Sequence, residues 1–492
     1  MSVGCAPEAC AAQARSDSRS SGPRQPLPAS GSSDANRKEP IMLPFFINRM
    51  RTWSGKRTPY RVFATMLLWL MAASGYAQVD PGIRAGSPGA GQPFASGLSS
   101  GELAFFNDAG VSQFSQVEDL GDGLGPRFNL DSCGGCHTFP ALGGSSPLIN
   151  NPQVARAATM APASAVPWFL SLNGPIREVR FIRRANGTPD GGVHDIFTIV
   201  GRPDNPSGCA ISQPDFSNAS NMIFRIPTPV FGAGLIESIT DETIWKNLNS
   251  DPFGLKSLLG IAGHLNTNGN DGTVTRFGWK AQNKSLMIFA GEAYNVEMGI
   301  TNENFPNERE EDPNCATNGL GENHTGFNSG NSPADIVAFV GFMRFLDQPT
   351  PACGASPLPA CSASVNRGRN LFSLIGCAAC HTPSLRTGLS PVAALNQKQV
   401  NLFSDLAVHH MGVGLADSVT QGTAGPDEFR SAPLWGIGQR AFFLHDGRTS
   451  DLLQAILAHQ SSGSESNRVI SVFRGVLSTS QRQDILTFLR SL

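Results

Sequence analysis

The spacing of apolar residues along the chain predicts a protein built mainly from α-helices. In 333–347 they recur every three or four residues behind Pro333, which suits the first position of a helix. Another helix is expected at the end of the chain, over about 479–492, where Ser478 and Gln481 form a capping box. Helices are also expected at 99–109 and 363–375, and a helical stretch near 241–262.

One part of the chain has a different pattern. Residues 176–235 contain three short runs rich in β-branched and aromatic residues, IREVRFIRR, HDIFTIVGR and NMIFRIPTP, bounded by Gly, Pro and Asn. They are predicted to be strands or extended loops inserted into a helical domain. A Pro-rich stretch, 351–361, is typical of a linker. It would separate an N-terminal domain, 78–350, from a C-terminal domain, 362–492.

The first 77 residues are expected to be a leader that the mature protein lacks. Residues 1–49 show no apolar periodicity. A basic segment then precedes an apolar stretch, 62–73, and a small-x-small cleavage site at 75–77. The apolar stretch is too short to span a membrane, and no longer one follows it. We therefore expect export, cleavage near Gln78, and a periplasmic protein without a stable membrane span.

Composition excludes some classes of partner. The chain has 492 residues, 40% of them hydrophobic and 15% charged, which fits a globular protein. Its formal net charge of −2 argues against a nucleic-acid binder.

Two C-x-x-C-H motifs carry the most specific chemistry. They consist of Cys133, Cys136 and His137, and of Cys377, Cys380 and His381. In such a motif two thiols can bind the vinyl groups of one haem, and the imidazole ligates its iron. The alternative is a structural zinc site, but its two C-x-x-C pairs are normally about 15–20 residues apart. Here 240 residues lie between the second cysteine of the first motif and the first of the other. Two covalently bound haem c groups are therefore expected.

The other cysteines agree with an oxidising compartment. Two of the ten lie in the leader and four in the haem motifs, which leaves Cys209, Cys315, Cys353 and Cys361. These four suggest two disulfides, with three possible connectivities. Closeness in the sequence favours Cys353 with Cys361, and Cys209 with Cys315 then remains.

The order of elements around each motif indicates the architecture. A helix, C-x-x-C-H, loops and a closing helix is the plan of a small cytochrome c domain, and both halves of the chain follow it. The expected fold is mainly α, with two tandem cytochrome-c-like haem domains, the first enlarged by the insert with short β-strands.

Four longer segments add a family resemblance. They are FNLDSCGGCHTFPALGGSSP, RIPTPVFGAGLIE, HHMGVGLAD and PLWGIGQRAFFLHDGRT. With the tandem haem motifs they resemble the bacterial di-haem cytochrome c peroxidase superfamily, which includes the MauG-type enzymes. The closer resemblance is to its di-haem oxidoreductase, or "thiol oxidoreductase", branch.

The resemblance covers nearly all of 97–492 and implies a C-terminal electron-transfer haem that feeds a catalytic N-terminal haem. It also implies a small soluble electron donor, of cytochrome c or cupredoxin type, and peroxide or another small substrate. Whether calcium is bound between the domains is left open.

The resemblance also implies roles at the C-terminal haem. His445, in the HDG turn, would lie beside the haem. His459 would be the sixth iron ligand, at the place where the peroxidases usually carry Met. Met411 is the competing ligand. Trp435, just before the turn, would either relay electrons between the haems or pack in the core.

At the N-terminal haem the resemblance points to an acidic residue. The segment NVEMG places Glu297 where the peroxidases carry a carboxylate over the first haem, and Trp279 lies in a segment like the one that precedes it. A carboxylate there could move a proton between the oxygens of peroxide. The alternative is that Glu297 is a solvated helix residue.

Resting peroxidases often close this haem with a His soon after the motif, but none lies between His137 and His194. Either His194 reaches the iron or, as we expect, the iron stays open.

Three functions compete at this point. The preferred one is an exported, peroxidase-like di-haem c-type oxidoreductase. A di-haem oxygenase that acts on a hydrophobic substrate, like the distantly related rubber-cleaving oxygenases, keeps the enzyme class but changes the chemistry. A non-enzymatic di-haem electron shuttle would need both irons six-coordinate.

Overall fold

Helices dominate the regular structure, and the few strands are short. The computed structural model describes residues 78–86, 88–160, 165–189, 198–307, 312–315, 321–322, 333–353 and 361–492. The predicted leader, His194 and most of the predicted linker lie outside these ranges. The expectation of a mainly helical protein with short strands is confirmed.

The first helix continues through a π-helical segment, Phe105–Val111, and three short 3₁₀ turns lie between later elements. The α-helices are α1 (Ser100–Ala104), α2 (Ser112–Ser115), α3 (Cys133–Cys136), α4 (Pro152–Met160), α5 (Ala233–Glu237), α6 (Asp241–Leu248), α7 (Leu255–Leu259), α8 (Leu286–Met298), α9 (Asp335–Phe345), α10 (Ala363–Leu374), α11 (Leu452–Ala458), α12 (Asn467–Gly475) and α13 (Thr479–Ser491).

The strands form antiparallel pairs: β1 with β3, β2 with β4, β5 with β6, and β7 with β8. They are β1 (Arg127–Phe128), β2 (Glu178–Phe181), β3 (Ile199–Val200), β4 (Met222–Arg225), β5 (Leu385–Arg386), β6 (Gln399–Val400), β7 (Val408–His410) and β8 (Glu428–Arg430). Because β2, β3 and β4 fall within 176–235, the predicted strand content of that segment is confirmed. The pairing of β1 with β3 joins this segment to the chain just before the first haem motif.

The predicted helices are present, but α9 begins at Asp335 with Ala334 as its N-cap, so Pro333 precedes the helix instead of occupying its first position. The capping box at Ser478 is present at the start of α13, and Ser362 caps α10. The helical stretch expected near 241–262 consists of two helices, α6 and α7. Pro252 lies between them, and Gly254 adopts a left-handed backbone conformation (φ 66°) that no α-helix contains.

Each haem motif packs against its own hydrophobic cluster. The first cluster gathers Phe114, Phe342 and many other apolar side chains from α2, α8 and α9, and the first-motif cysteines lie against it. The second lies between α10 and α13, and the second-motif cysteines lie against that one. The two helices approach closely at Gly368, where a Cβ would stand 2.0 Å from the carbonyl oxygen of Asp484. Glycine at this position therefore allows the packing beneath the second motif.

Both predicted disulfides are present. Cys209 is bonded to Cys315, and Cys353 to Cys361. The four cysteines of the haem motifs form no disulfides. In the part of the chain that the structure describes, no helix has the length and apolar character needed to cross a membrane.

Candidate functional site

The first haem motif forms a single helical turn beside a cavity of about 880 Å³. The backbone N–H of His137 donates to the Cys133 carbonyl at 2.9 Å and closes the turn α3. The ring Nδ1 of His137 lies 3.1 Å from the carbonyl oxygen of Gly144. Because a carbonyl only accepts hydrogen bonds, Nδ1 carries the ring proton, and Nε2 is the nitrogen left to bind iron.

A second and larger cavity, of about 1420 Å³, is lined by both His381 and His459. His381 donates its Nδ1–H to the carbonyl of Phe403 (3.1 Å), and His459 donates its own to the carbonyl of Ala455 (2.8 Å). Each ring therefore keeps Nε2 for a metal, as His137 does. The two predicted iron ligands of the C-terminal haem thus share one cavity, with Cys377 and Cys380 in the same wall.

Burial keeps these imidazoles neutral, which is the form that ligates a metal. Burial lowers the pKa of His137 to about 4. Burial, followed by the neighbouring His459, lowers the pKa of His381 to about 4. The pKa of His459 is also lowered by burial. At neutral pH no proton has to be displaced from any of the three.

Haem carries two carboxylate groups, so a cavity that fits haem should contain buried polar groups that lack a partner within the protein. Arg430 and Arg440 line the second cavity, and burial lowers the pKa of each to about 10. Within the described ranges, the buried Nε of both side chains and Nη2 of Arg440 have no hydrogen-bond partner. Two cationic groups facing an apolar cavity suit the haem carboxylates. At the first cavity His137 and Cys133 supply an imidazole and a thiol of the kind that c-type haem requires. The residues therefore fit the cofactor.

Glu297, the predicted acidic residue of the N-terminal site, lies beside the first haem motif. It lines the cavity with His137 and also a smaller adjoining one beside Cys136. Its backbone carbonyl accepts the N–H of Asn129 at 2.8 Å, which ties the end of α8 to the segment before the motif. The structure therefore brings Glu297 to the N-terminal haem site.

Trp279 lines both cavities. Its indole N–H donates to the carbonyl of Ile226 at 3.0 Å, which fixes the ring, and the Arg440 guanidinium lies 5.9 Å from the ring centroid. Trp435, the tryptophan expected between the haems, is buried against Gly232 and lines a third cavity that Trp279 also borders. Of the two tryptophans, Trp279 therefore borders both haem-motif cavities, whereas Trp435 lines neither.

His445 lies in the wall of the second cavity, as expected for a polar residue beside that haem. Its ring stacks on Phe429 with 4.2 Å between centroids. Burial, together with the charges of Arg225 and Arg448, lowers its pKa well below the usual value. His445 is thus a neutral imidazole at physiological pH.

Sequence reasoning assigned no role to His409. It is 3% exposed, lines the second cavity, and contacts Asp405 through Nε2 (3.0 Å) and Glu465 through Nδ1 (2.9 Å). Burial alone would lower its pKa, but the facing Cys380 and Asp405 raise it well above the usual value. The two histidines in HHMG could have drawn attention to it, but Glu465 is 56 residues away and no local pattern links them.

A buried charged cluster joins the walls of the two cavities. Asp417 pairs with Arg225, which lines the first cavity, and with Lys280 at 3.2 Å. The Lys280 ammonium lies 4.1 Å from the ring centroid of Phe429, which lines the second cavity. Sequence reasoning missed this cluster because its members come from distant segments.

The sequence left two alternatives open, Met411 as the iron ligand and a bound calcium ion. Met411, the competing iron ligand, also lines the second cavity, so both candidates are within the same space. In the ranges that the structure covers, no group of three or more His, Cys, Asp or Glu side chains is arranged to hold a metal ion, and the calcium left open by the sequence therefore has no identified ligands.

The chain is similar to a chain of the Kuenenia stuttgartiensis hydrazine synthase structure (18% identity, 32% of this chain and 55% of that one, TM-score 0.22). It therefore spans about half the length of that chain. It is similar to a MauG-like protein associated with microbial copper homeostasis (16% identity, 54% of this chain and 89% of that one, TM-score 0.27). It is also similar to the diheme peroxidase BthA from Burkholderia thailandensis (13% identity, 59% and 92%, TM-score 0.29). TM-scores this low do not support an argument about structure or function. No curated protein is significantly similar to the chain.

The family assignment rests on a sequence profile. The profile described as "Di-haem oxidoreductase, putative peroxidase" matches residues 190–492, which is more than half of the chain and includes the second haem motif, Glu297 and Trp279. The chain therefore belongs to the di-haem oxidoreductase family.

Proposed function

We propose that this di-haem oxidoreductase is an exported c-type enzyme that reduces peroxide at its N-terminal site with electrons taken up at its C-terminal site. The observation that supports this most directly is the difference between the two cavities. In the C-terminal cavity two imidazoles, His381 and His459, hold Nε2 available for a metal, whereas the N-terminal cavity has His137 together with the carboxylate of Glu297. An iron with both axial positions filled suits electron transfer, and one with an available position suits reaction with a small molecule.

Haem c, when bound, supplies an iron that gains and loses single electrons. Four cysteine thiols would bind the haem vinyl groups, three imidazoles would ligate iron, and two guanidiniums would pair with the haem carboxylates of the second site. These residues are Cys133, Cys136, His137, Cys377, Cys380, His381, His459, Arg430 and Arg440.

Glu297 would be the general acid–base group. Reduction of hydrogen peroxide to two waters takes up two electrons and two protons, and one proton must also move from one peroxide oxygen to the other. A carboxylate in the wall of the cavity can accept that proton and return it to the departing oxygen as the O–O bond breaks. Glu297 lines the cavity together with His137, so it is within the space that peroxide would enter.

Trp279 would connect the two sites. It lines both cavities, and its hydrogen bond to the Ile226 carbonyl holds the indole in one orientation. Electrons from a small soluble donor of cytochrome c or cupredoxin type would enter at the C-terminal site and cross Trp279 to the N-terminal site. A rigid aromatic ring shared by both walls suits such a path.

Export accords with the cysteine chemistry. Two disulfides persist best in an oxidising compartment, and the four haem-motif cysteines take no part in them. We infer a periplasmic location, with a mature N-terminus near Gln78. N-terminal sequencing of the exported protein tests it, and an uncleaved cytoplasmic product would contradict it.

One experiment tests the whole proposal. The purified protein with both haems is mixed with hydrogen peroxide and a reduced small cytochrome c or cupredoxin. The expected result is catalytic consumption of peroxide matched by oxidation of two donor molecules for each peroxide. Indifference to peroxide, with oxygen uptake on an apolar substrate, would instead favour the oxygenase. If the oxidised protein contains only low-spin irons and neither consumes peroxide nor takes up oxygen, it is an electron shuttle.

A further inference from the structure

Tyrosine is rare in this chain, and the tyrosine at the N-terminal site has an unusual environment. The chain contains 30 Phe but only 3 Tyr, at Tyr60, Tyr76 and Tyr294. The first two precede the residues that the structure describes, so Tyr294 would be the only tyrosine of a protein cleaved near Gln78. It lies on α8 and lines the same cavity as His137. A position that Phe could fill is thus occupied by a phenol.

The hydroxyl of Tyr294 faces two buried carboxyl groups. Its oxygen lies 3.2 Å from Oε1 of Glu118 and 3.3 Å from Oδ2 of Asp335. The exposed fractions of Tyr294, Glu118 and Asp335 are only 1%, 2% and 3%. The phenol can therefore donate its proton to a carboxyl oxygen without any movement of the chain.

A row of aromatic rings connects this phenol to the predicted iron ligand. The centroid of the Tyr294 ring is 4.9 Å from that of Phe339, and Phe339 is 6.3 Å from Phe114. Phe114 in turn is 6.0 Å from the imidazole of His137. Tyr294 is thus close enough to the N-terminal site to exchange electrons with it, both across the shared cavity and along these rings.

The surroundings favour loss of a proton and an electron together. Burial, with the charges of Glu118 and Asp335, raises the pKa of Tyr294 far above its usual value, so the phenolate does not form by itself. Burial, followed by the charges of Asp122 and Asp335, raises the pKa of Glu118 to about 8. In its ionised form Glu118 is therefore a stronger base than an ordinary glutamate. An electron can leave the phenol if its proton passes to such an acceptor in the same event.

We propose that Tyr294 is a redox-active residue that supplies one electron to the N-terminal site during peroxide reduction, its phenolic proton passing to a carboxylate oxygen of Asp335, or of Glu118 when that group is ionised. The proposal rests on the proposed peroxidase function, because hydrogen peroxide is the oxidant. Of the two electrons that convert peroxide and two protons into two waters, one comes from Tyr294 and the other from the C-terminal site. Tyr294 becomes a neutral phenoxyl radical; an electron from the donor and return of the proton restore the phenol.

Electron paramagnetic resonance tests the proposal. The oxidised protein with both haems is mixed with hydrogen peroxide without an electron donor and frozen. The expected result is an organic radical whose spectrum narrows when the protein is produced with ring-deuterated tyrosine. The same signal is expected to be absent from Tyr294→Phe, which keeps the ring and both haem absorption spectra. Trp279→Phe is the matched control, because it removes the indole from the wall of the same cavity, and the tyrosyl signal is expected to remain.

Three outcomes would overturn the proposal. One is a radical that is insensitive to tyrosine deuteration and disappears in Trp279→Phe. Another is the absence of any radical in a protein that consumes peroxide when the donor is present; in that case Tyr294 is structural and the peroxidase function stands. The third is a failure of the unmodified protein to consume peroxide at all, which removes the peroxidase function and this proposal with it. Because deuteration leaves the sequence unchanged, the test does not depend on the folding of the variant.

Discussion

The indole of Trp279 and the imidazole of His445 meet edge to face, with 6.4 Å between their ring centroids. His445 lies in the wall of the C-terminal cavity, and Trp279 lies in the walls of both. The two haem sites are therefore joined through a pair of rings in near contact. Neither ring is next to a haem motif in the sequence, so only the fold creates this connection.

Replacement of Trp279 is expected to slow electron transfer between the two sites. Trp279→Phe keeps an aromatic ring but removes the larger indole and its hydrogen bond to Ile226. An increase of about 1.4 kcal/mol in the barrier corresponds to about a tenfold lower rate, which we take as the minimum effect. Stopped-flow spectroscopy of the half-reduced protein measures the rate at which the N-terminal haem is reduced. Trp435→Phe, which changes a buried tryptophan outside the walls of both cavities, is the control; a slow Trp435→Phe beside a normal Trp279→Phe would reverse the assignment.

Haem attachment is predicted to depend on each motif separately. Replacement of both Cys377 and Cys380 by Ala should leave one covalent haem instead of two, because the N-terminal motif has its own thiols. The mass of the denatured protein and its retained Soret absorption measure this. Removal of the disulfide by replacing Cys353 and Cys361 is the matched control, since it also deletes two cysteines but should leave both haems. Release of haem on denaturation of the unmodified protein would refute covalent attachment.

Local features of the chain were predictable, because each depends on a few neighbouring residues. The thiol and imidazole spacing of the haem motifs and the capping box at Ser478 are examples. The helical stretch near 241–262 was also predictable, and Pro252 and Gly254 lie between its two helices.

Relationships between distant segments were not predictable in the same way. Trp279 was expected near one haem, and only the fold shows that it borders both cavities. His409 is held by Asp405 and Glu465, and no periodic pattern links residues from such separate loops. The resemblance directed attention to Glu297 and His445, yet their surroundings required the packed structure.

His459 is predicted to complete a low-spin iron at the C-terminal site. Its Nδ1–H is held by the Ala455 carbonyl and its ring shares the cavity of His381, so Nε2 is available as a ligand. His459→Ala should therefore make this haem high-spin and leave the N-terminal haem unchanged in resonance spectra of the oxidised protein. Met411→Ala is the matched control, because Met411 lines the same cavity. If Met411→Ala changes the spin state and His459→Ala does not, the ligand is the methionine.

Stability is expected to fall as the pH rises, through Glu118. Burial raises its pKa from 4.5 to about 8 in the folded protein. Between these values the folded state holds a proton that the unfolded state has lost, so the free energy of unfolding decreases with increasing pH. A shift of this size corresponds to at most about 5 kcal/mol across that range. Glu118→Gln resembles the protonated form and should remove this contribution.

Thermal unfolding at several pH values between 4.5 and 8 measures the difference between the two proteins. Glu118→Gln should gain stability relative to the unmodified protein as the pH rises. Glu242→Gln, at an exposed carboxylate paired with Lys246, is the control and should follow the unmodified protein closely. Parallel curves for Glu118→Gln and the unmodified protein would show that Glu118 is ionised in the folded state over this whole range.

The decisive prediction for peroxide chemistry concerns Glu297. Glu297→Gln keeps the size and polarity of the side chain but can no longer accept and return a proton. A general acid–base group typically contributes about 10²–10⁴-fold to the rate, or roughly 3–5 kcal/mol of barrier. Peroxide turnover by Glu297→Gln should therefore fall at least about a hundredfold, with both haem spectra retained.

The rest of the protein separates this effect from a general loss of function. Reduction of the C-terminal site by the donor should proceed at the normal rate in Glu297→Gln, because His381 and His459 are unchanged. Glu292→Gln is the matched control: this carboxylate lies on the same helix and lines the same cavity, but it is hydrogen-bonded to Asn283. Its turnover should stay within a few-fold of normal. Near-normal turnover by Glu297→Gln, or a large loss in Glu292→Gln alone, would show that the proton is moved by another group, because a carboxylate that transfers it cannot be replaced by an amide without loss of rate.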